Sequence, residues 1–349
     1  MRAPGDKADR PRHVLVTGGA GYIGSKLTEL LLGRGCEVTV LDRFFFGNTI
    51  ADMQSNPKLH LVKQDIRTVP PTIFSGIDAV CDLAALSNDP AGELNPEKTL
   101  EINHRGRARI CELAKKHGVK RYILASSCSI YGYQDYTVDE RSPVNPLTTY
   151  AQANLLAEES NLGQADGEFT VTALREATVY GLSRRMRFDL VVNGMTLSLF
   201  KQGSVKIMRN GQQWRPIVHV IDTARAFVTV LESPTSQVNS QIFNVGSDEQ
   251  NLQVLPLAKR VSVAVGIPFK EDWYGEVDNR SYRVSFRKFR ETLGYQTSLT
   301  AEDGAREIFA SLKRGEITDS PKTRTVEWYR NLIEWHRISR EVEMDGAIL

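Results

Sequence analysis

Gly18, Gly21 and Gly24 recur at every third residue, a spacing suited to holding a phosphate. Glycine lets a chain turn sharply, lets backbone N–H groups approach a pyrophosphate, and lets a helix pack close to the preceding strand. Asp42 stands eighteen residues beyond Gly24. A carboxylate there accepts hydrogen bonds from an adenosine ribose, which favours NAD over NADP. Arg43 beside it suits a 2′-phosphate and keeps NADP as the alternative. Such chemistry needs a strand, a tight turn and a helix. Val14-Leu15-Val16 predicts the strand, and the periodic run Tyr22 to Leu32 predicts the helix. That helix's N-terminus carries partial positive charge for a pyrophosphate, so Tyr22 and Ile23 join the glycines in the expected cofactor cradle. Glu37 to Leu41 predicts a second strand ending in Asp42. The bland alternative is a glycine-rich turn that holds no ligand.

Further strands are predicted at Leu59–Val62, Asp78–Leu83, Arg121–Ala125 and Phe169–Leu174, with long helices at Pro96–Lys116 and Thr149–Leu162. This alternation predicts an α/β fold, a Rossmann-type doubly wound parallel sheet with ligands at the strands' carboxyl ends. Asp65 and Ile66 follow the third strand. The acid there either meets an adenine edge or is a surface acid near a helix start. Leu83, Ala84 and Ala85 follow the fourth strand, where small residues suit backbone running along a flat cofactor. From about residue 181 the rhythm loosens into short strands and helices, a smaller irregular C-terminal substrate lobe. The expected organisation is a tail over 1–12, an NAD-binding domain over 13–180, and a mainly substrate-binding lobe over 181–349 with some return to the core. Arginines recur in the lobe at 187, 209, 215, 280 and 283. They form a solvated face or, as planar forks in a cleft, meet a diphosphate.

Composition narrows the class. Of 349 residues, 41% are hydrophobic and 25% charged, an ordinary globular balance. The net charge is +2, with 44 Lys and Arg against 42 Asp and Glu, so no basic excess points to nucleic acid. Cys36, Cys81, Cys111 and Cys128 have no metal-type spacing and read as small residues of a reducing cytosol. No apolar run reaches membrane-spanning length, and the polar first residues do not read as a signal peptide. The expectation is a cytoplasmic protein with no metal, nucleic-acid or membrane partner.

Several segments carry a resemblance. Thr17 to Gly24, Leu83-Ala84-Ala85, Ser126-Ser127-Cys128-Ser129-Ile130-Tyr131-Gly132, and Tyr150 opening a helix resemble the extended short-chain dehydrogenase/reductase family. Within it, the chain is similar to the NAD-dependent nucleotide-sugar epimerase/dehydratase group, over about residues 13 to 315. Arg175 to Gly181 resembles that group's R-x-x-N-V-Y-G with Thr178 in place of Asn, and Trp214 to Asp222 resembles its R-D-[FY]-I-H-V-x-D. The resemblance implies a tyrosine phenolate that takes a proton from a sugar hydroxyl while hydride passes to NAD. It assigns Tyr150 as that base and Ser127 to the reacting oxygen. It assigns Arg215 and Arg280 to a nucleotide-diphosphate sugar; Arg187 and Asn193 are further candidates for substrate binding. It also implies a homodimer through the two long helices, and a structural role for His219.

The group's Y-x-x-x-K reads Tyr150-Ala151-Gln152-Ala153-Asn154 here. Residues i and i+4 share a helix face, so Asn154 occupies the lysine's place beside the cofactor ribose. Ala153 and Leu155 exclude a register slip. An ordinary tyrosine pKa is about 10, and an ammonium brings it toward working pH; asparagine has no charge to do so. Three readings remain. Another cation or a water replaces the lysine, aided by the charge of NAD⁺. Tyr150 works protonated, as a general acid. Or the site is disabled, naturally or by engineering. The segment after Ser127 bears on the reaction. Dehydratases of the group carry an Asp-Glu pair where Cys128 and Ser129 stand. The Cys128 thiol is either an acid/base group or a small residue on a crowded turn. Asp89 either approaches the sugar or serves as a turn residue. Epimerisation at C4 needs few extra groups and leads. A dehydrogenase, ketoreductase or dehydratase is the alternative, and an NAD-binding protein without turnover is the alternative of another class.

Overall fold

Mostly apolar runs, buried on both sides in the central strands, pair as seven parallel strands, the pattern of a sheet covered by helices on each face. They are β1 (His13–Thr17), β2 (Glu37–Asp42), β3 (Leu59–Lys63), β4 (Ala79–Asp82), β5 (Arg121–Ser127), β6 (Thr170–Glu176) and β7 (Gln241–Val245). Their order across the sheet is β7-β6-β5-β4-β1-β2-β3. The computed structural model describes residues 10–276 and 280–348. Residues 1–9 of the expected tail, and Asp278 and Asn279 beside Arg280, lie outside the described residues. Alternate side chains feed the two faces. Val14 and Val16 join one core with Val38, Val40 and Leu174, while Leu15 joins the other with Val80, Leu124 and Val171.

The order reverses between β1 and β4, and a crevice opens there at the carboxyl ends. The Gly18 turn leaves β1 and the Leu83–Ala85 segment leaves β4 at that point. β7 comes from beyond residue 181 and pairs with β6 at the edge of the core sheet. The smaller lobe holds Trp214–His219 between Thr178–Tyr180 and Asn251–Gln253. Helices Val191–Gln202, Val254–Val265 and Ala301–Lys313 pack around it. Tyr133–Val138 pairs with Ser281–Val284, which carries Arg280 toward the end of β5.

Two segments differ from expectation. The helix predicted over Pro96–Lys116 is α-helical at Pro96–Leu100 and Arg107–Lys116, with a π-helical stretch over Glu101–Gly106 between them. The wider turn changes which residues beyond it face inward, and Arg107 points into the protein. After β7 the described residues hold four α-helices rather than two or three. The last, Thr325–Val342, docks on the loop after β2. Trp328 Nε1 donates to the Phe45 carbonyl at 2.6 Å, and the Tyr329 ring lies 5.8 and 5.5 Å from Phe45 and Phe46.

Candidate active site

A cavity of about 1360 Å³ runs from the glycine turn, over the ends of β4 and β5, into the smaller lobe. At one end Gly18, Gly21 and Gly24 line it together with Tyr22 and Ile23. Gly18 has φ of +68°, and a Cβ there would meet the Leu83–Ala84 backbone at 3.0 Å. A Cβ on Gly24 would lie 2.1 Å from the Gly18 carbonyl oxygen. Only glycine therefore closes the turn and leaves the backbone bare toward the cavity. The Tyr22 phenol donates to the Gly181 carbonyl at 2.6 Å.

Asp42 lines the same end. Its Oδ1 accepts the Phe44 N–H at 2.7 Å and its Oδ2 the Ala20 N–H at 3.1 Å. Burial raises its pKa against these hydrogen bonds. Arg43 turns away to Asp65, 2.5 Å from Oδ2, so the cation suited to a 2′-phosphate is paired elsewhere. Asp65 and Ile66 also line the cavity. Burial raises the Asp65 pKa, but Arg67 and Arg43 outweigh it and hold the carboxyl below its ordinary range. Leu83, Ala84 and Ala85 complete this wall, with the Leu83 and Ala84 N–H groups tied to Thr17 Oγ1 at 3.1 Å. A bare turn, a helix N-terminus and an acid at the end of the second strand fit NAD.

Tyr150 lies in the middle of the cavity, in the first turn of Thr149–Leu162. The helix starts there because Thr148 Oγ1 caps the Ala151 N–H at 3.1 Å, and Asp89 fixes that hydroxyl at 2.6 Å. Gly92 lets the chain press on Tyr150, since a Cβ there would sit 2.9 Å from the Tyr150 Cβ. Ser127, at the end of β5, lies beside the phenol. Burial pushes the Tyr150 pKa up; Glu176 and Asp89 add to this, while Ser127 and Arg107 oppose it. The phenol is thus protonated at rest.

Asn154 faces the same way, wholly buried. Its Nδ2 donates to the Tyr150 carbonyl at 2.9 Å, and its Oδ1 accepts from Arg107 Nη1 at 3.1 Å. Arg107 is a cation that sequence reasoning missed. It is 1% exposed. Its Nε donates to Asp82 Oδ2 at 3.0 Å and its Nη2 to the Asp82 carbonyl at 2.9 Å. Thr17 and Tyr122 also donate to the Asp82 carboxylate.

Arg215 and Arg280 line the cavity toward the smaller lobe, and Arg187 lines it nearer Tyr22, with which it shares the Asn193 amide. Each is held from behind rather than forming a solvated face. Arg187 forks onto Asp189 at 3.0 and 2.9 Å. Arg215 donates to the Trp214 carbonyl at 2.9 Å and to that of Arg280. Arg280 pairs with Asp89, which also lines the cavity. Arg209 and Arg283 are not in the lining.

Two expected site residues lie elsewhere. Asn193 is buried outside the lining, its amide spent on the Gly181 N–H, the Tyr22 phenol and the Arg187 carbonyl at 2.9, 3.0 and 2.8 Å. It positions the loop that carries Arg187. Cys128 is also buried outside the lining, its Sγ against the Arg175 carbonyl at 3.2 Å, and burial pushes its thiol pKa well up. It is a core residue. His219 is held by Glu307 at 2.8 Å and by the Tyr180 ring. Glu176 and Ser129, not singled out from sequence, line the cavity near Ser127. Tyr329 and His336 of the last helix line it too, a contact that only the tertiary fold creates. Among the described residues no cluster of His, Cys, Asp and Glu is arranged to hold a metal, and no helix is long and apolar enough to cross a membrane.

Comparison with known proteins agrees with this geometry. The sequence profile of the NAD dependent epimerase/dehydratase family matches residues 14–246. The chain is 27% identical over 318 residues to UDP-glucuronic acid decarboxylase 1 of Danio rerio, covering 88% of this chain and 73% of that protein. It is 28% identical over 289 residues to UDP-glucose 4-epimerase of Bacillus subtilis, covering 74% and 84%. Among solved structures it is similar to UDP-glucose 4-epimerase of Thermotoga maritima with UDP-glucose. There the TM-score is 0.77 at 25% identity, over 87% of this chain and all of the other.

Proposed function

Because this chain belongs to the NAD dependent epimerase/dehydratase family, we propose that it inverts C4 of a nucleotide-diphosphate hexose through a transient 4-keto sugar. One observation carries the reading. Ser127 and Tyr150 stand together in a cavity that joins a cofactor cradle to an arginine-lined end, and no carboxylate pair follows Ser127. The Gly18–Gly24 turn and Asp42 would hold NAD, which would supply hydride transfer from and back to the sugar. The chain's residues do the rest. Arg215 and Arg280 meet the diphosphate. Ser127 hydrogen-bonds the O4 oxygen, and Tyr150 exchanges a proton with it. Arg107, reaching the tyrosine's helix through Asn154, is the cation that favours the phenolate in place of a lysine at 154.

The raised Tyr150 pKa favours one second reading, a ketoreductase on a nucleotide-linked sugar, because a phenol delivers a proton to a ketone more readily than it removes one. The homodimer proposed through the Pro96–Lys116 and Thr149–Leu162 segments is tested by sizing chromatography, where a monomer alone refutes it.

An NMR time course with NAD and UDP-, GDP-, CDP- and TDP-hexoses, with absorbance in the reduced-nicotinamide band, tests the function. A C4 isomer without net cofactor change is expected, and Tyr150→Phe should slow it roughly a hundredfold or more. Net cofactor reduction or oxidation moves the assignment to the dehydrogenase or ketoreductase. Unchanged sugars with bound NAD refute catalysis.

A further inference from the structure

Glu176 ends β6 with its Cα paired to that of Ser127 on β5. Neighbouring strands lie about 4.8 Å apart. A glutamate at 176 therefore reaches atoms next to those that Ser127 touches. The residue is buried and lines the same cavity as Ser127 and Tyr150. Its Oε1 has no hydrogen-bond partner among the described residues, and neither has the Oγ of Ser129, which lines the same cavity. Leaving a buried polar atom unpaired is unfavourable, because its lost hydration is not replaced. Such an atom on the cavity wall, in register with Ser127, marks a place where something polar docks. The charged and titratable groups around Glu176 are Arg107, Tyr150, Cys128 and Tyr295. Burial, opposed by Arg107, raises the Glu176 pKa to about 8. The carboxyl is then mostly neutral near pH 7, and its ionised fraction is a stronger base than an ordinary carboxylate.

We infer that Glu176 is a second acid–base group of this site, exchanging a proton with the carbon adjacent to the sugar's transient ketone. This rests on the C4 reading, which supplies the ketone. A carbonyl at C4 acidifies the C–H bonds at C3 and C5. The Glu176 carboxylate takes one of those protons. The C–H electron pair becomes the C=C bond of an enolate, and the carbonyl π pair moves to the oxygen held by Ser127 and Tyr150. Return of the proton from Glu176 restores the ketone. The step needs no further oxidant or reductant. It gives a site lacking carboxylates at 128 and 129 a route to chemistry at the neighbouring carbon.

The test runs the protein with NAD and the same sugar panel in D2O. NMR and mass spectrometry follow C4 inversion and deuterium at C3 and C5, and absorbance follows nicotinamide reduction. Deuterium at C3 or C5 is expected in the native protein. Glu176→Gln, which matches the neutral carboxyl in shape, should lower the ratio of deuterium incorporation to C4 inversion by roughly tenfold or more. Glu176→Asp should restore part of it. Inversion without deuterium, or a ratio unchanged in Glu176→Gln, overturns the proposal; a merely structural role moves both rates together and leaves the ratio fixed. If neither inversion nor nicotinamide reduction occurs, the C4 reading itself fails and the role of Glu176 falls with it.

Discussion

Arg107 Nη1 lies 3.1 Å from Asn154 Oδ1, and the amide's other end is bonded to the Tyr150 carbonyl. The residue at 154 is thus matched to a buried guanidinium. An ammonium at 154 would face Arg107 without the acceptor that the guanidinium now uses. Asn154→Lys is therefore expected to lose about 1–3 kcal/mol of stability, despite matching the group's pattern. Pairing it with Arg107→Met should recover part of that loss, because a lysine at 154 can then approach Asp82. A double-mutant cycle by chemical denaturation checks this. Additive losses would show that the two positions are uncoupled.

Arg107→Met alone should be costly for a different reason. It leaves Asp82 buried with only hydroxyl partners, and stranding one charge of a buried pair costs about 3–5 kcal/mol. Where the variant folds, Tyr150 loses a charge that favours its phenolate. The rising limb of the pH–rate profile should then move to higher pH, whereas a purely structural role would leave its midpoint in place.

The Glu176 carboxyl gives a stability signature that needs no substrate. Its folded pKa of about 8 lies above the ordinary 4.5. Burial therefore favours the neutral form. The resulting stabilisation is fully present below about pH 4.5 and is lost as pH rises to about 8. A tenfold change in proton affinity corresponds to about 1.4 kcal/mol, so the loss amounts to a few kcal/mol at most. Glu176→Gln has no such proton to lose. Its Tm relative to the native protein should climb between pH 5 and 8 and then level off. A difference that stays flat over that range would show that the carboxyl is ionised in the folded protein.

What the sequence made legible were features imposed by local geometry. Gly18 and Gly24 stand where any Cβ would strike backbone and Asp42 ends a strand, so type and spacing alone point to them, whereas Tyr150 was legible only through the family resemblance. Arg107 and Glu176 were not legible. The first depends on a π-helical stretch that turns it inward, the second on a strand register with Ser127, and neither is encoded within a short window. Cys128 and Asn193 misled for the converse reason. Cys128 sits inside a motif-like segment and Asn193 in a helix that lines the cavity, yet both side chains face the core. The last helix, with Trp328 and Tyr329 against the loop after β2, has a periodicity that reveals a helix but not the wall it forms.

Asp42 is expected to decide cofactor choice. Its carboxylate lines the cradle, and Arg43 is occupied by Asp65. Asp42→Ala should weaken NAD binding by about 1.5–3 kcal/mol, the worth of hydrogen bonds to a charged group. NADP should gain little while Arg43 keeps its partner. Calorimetric titration of both cofactors checks this, and an unchanged NAD affinity would place the ribose elsewhere.

Arg215 is expected to act in binding rather than in the chemical step. Its guanidinium is anchored on the Trp214 and Arg280 carbonyls at the end of the cavity remote from the glycine turn. A diphosphate bound there keeps its charge throughout the reaction, so the contact is equally strong in ground and transition states. Arg215→Ala should therefore raise KM by roughly tenfold or more while kcat changes much less. Arg215→Lys should recover only part of the affinity, because a point charge lacks the fork that binds two oxygens at once. A kcat loss as large as the rise in KM would instead show that Arg215 positions the sugar for hydride transfer.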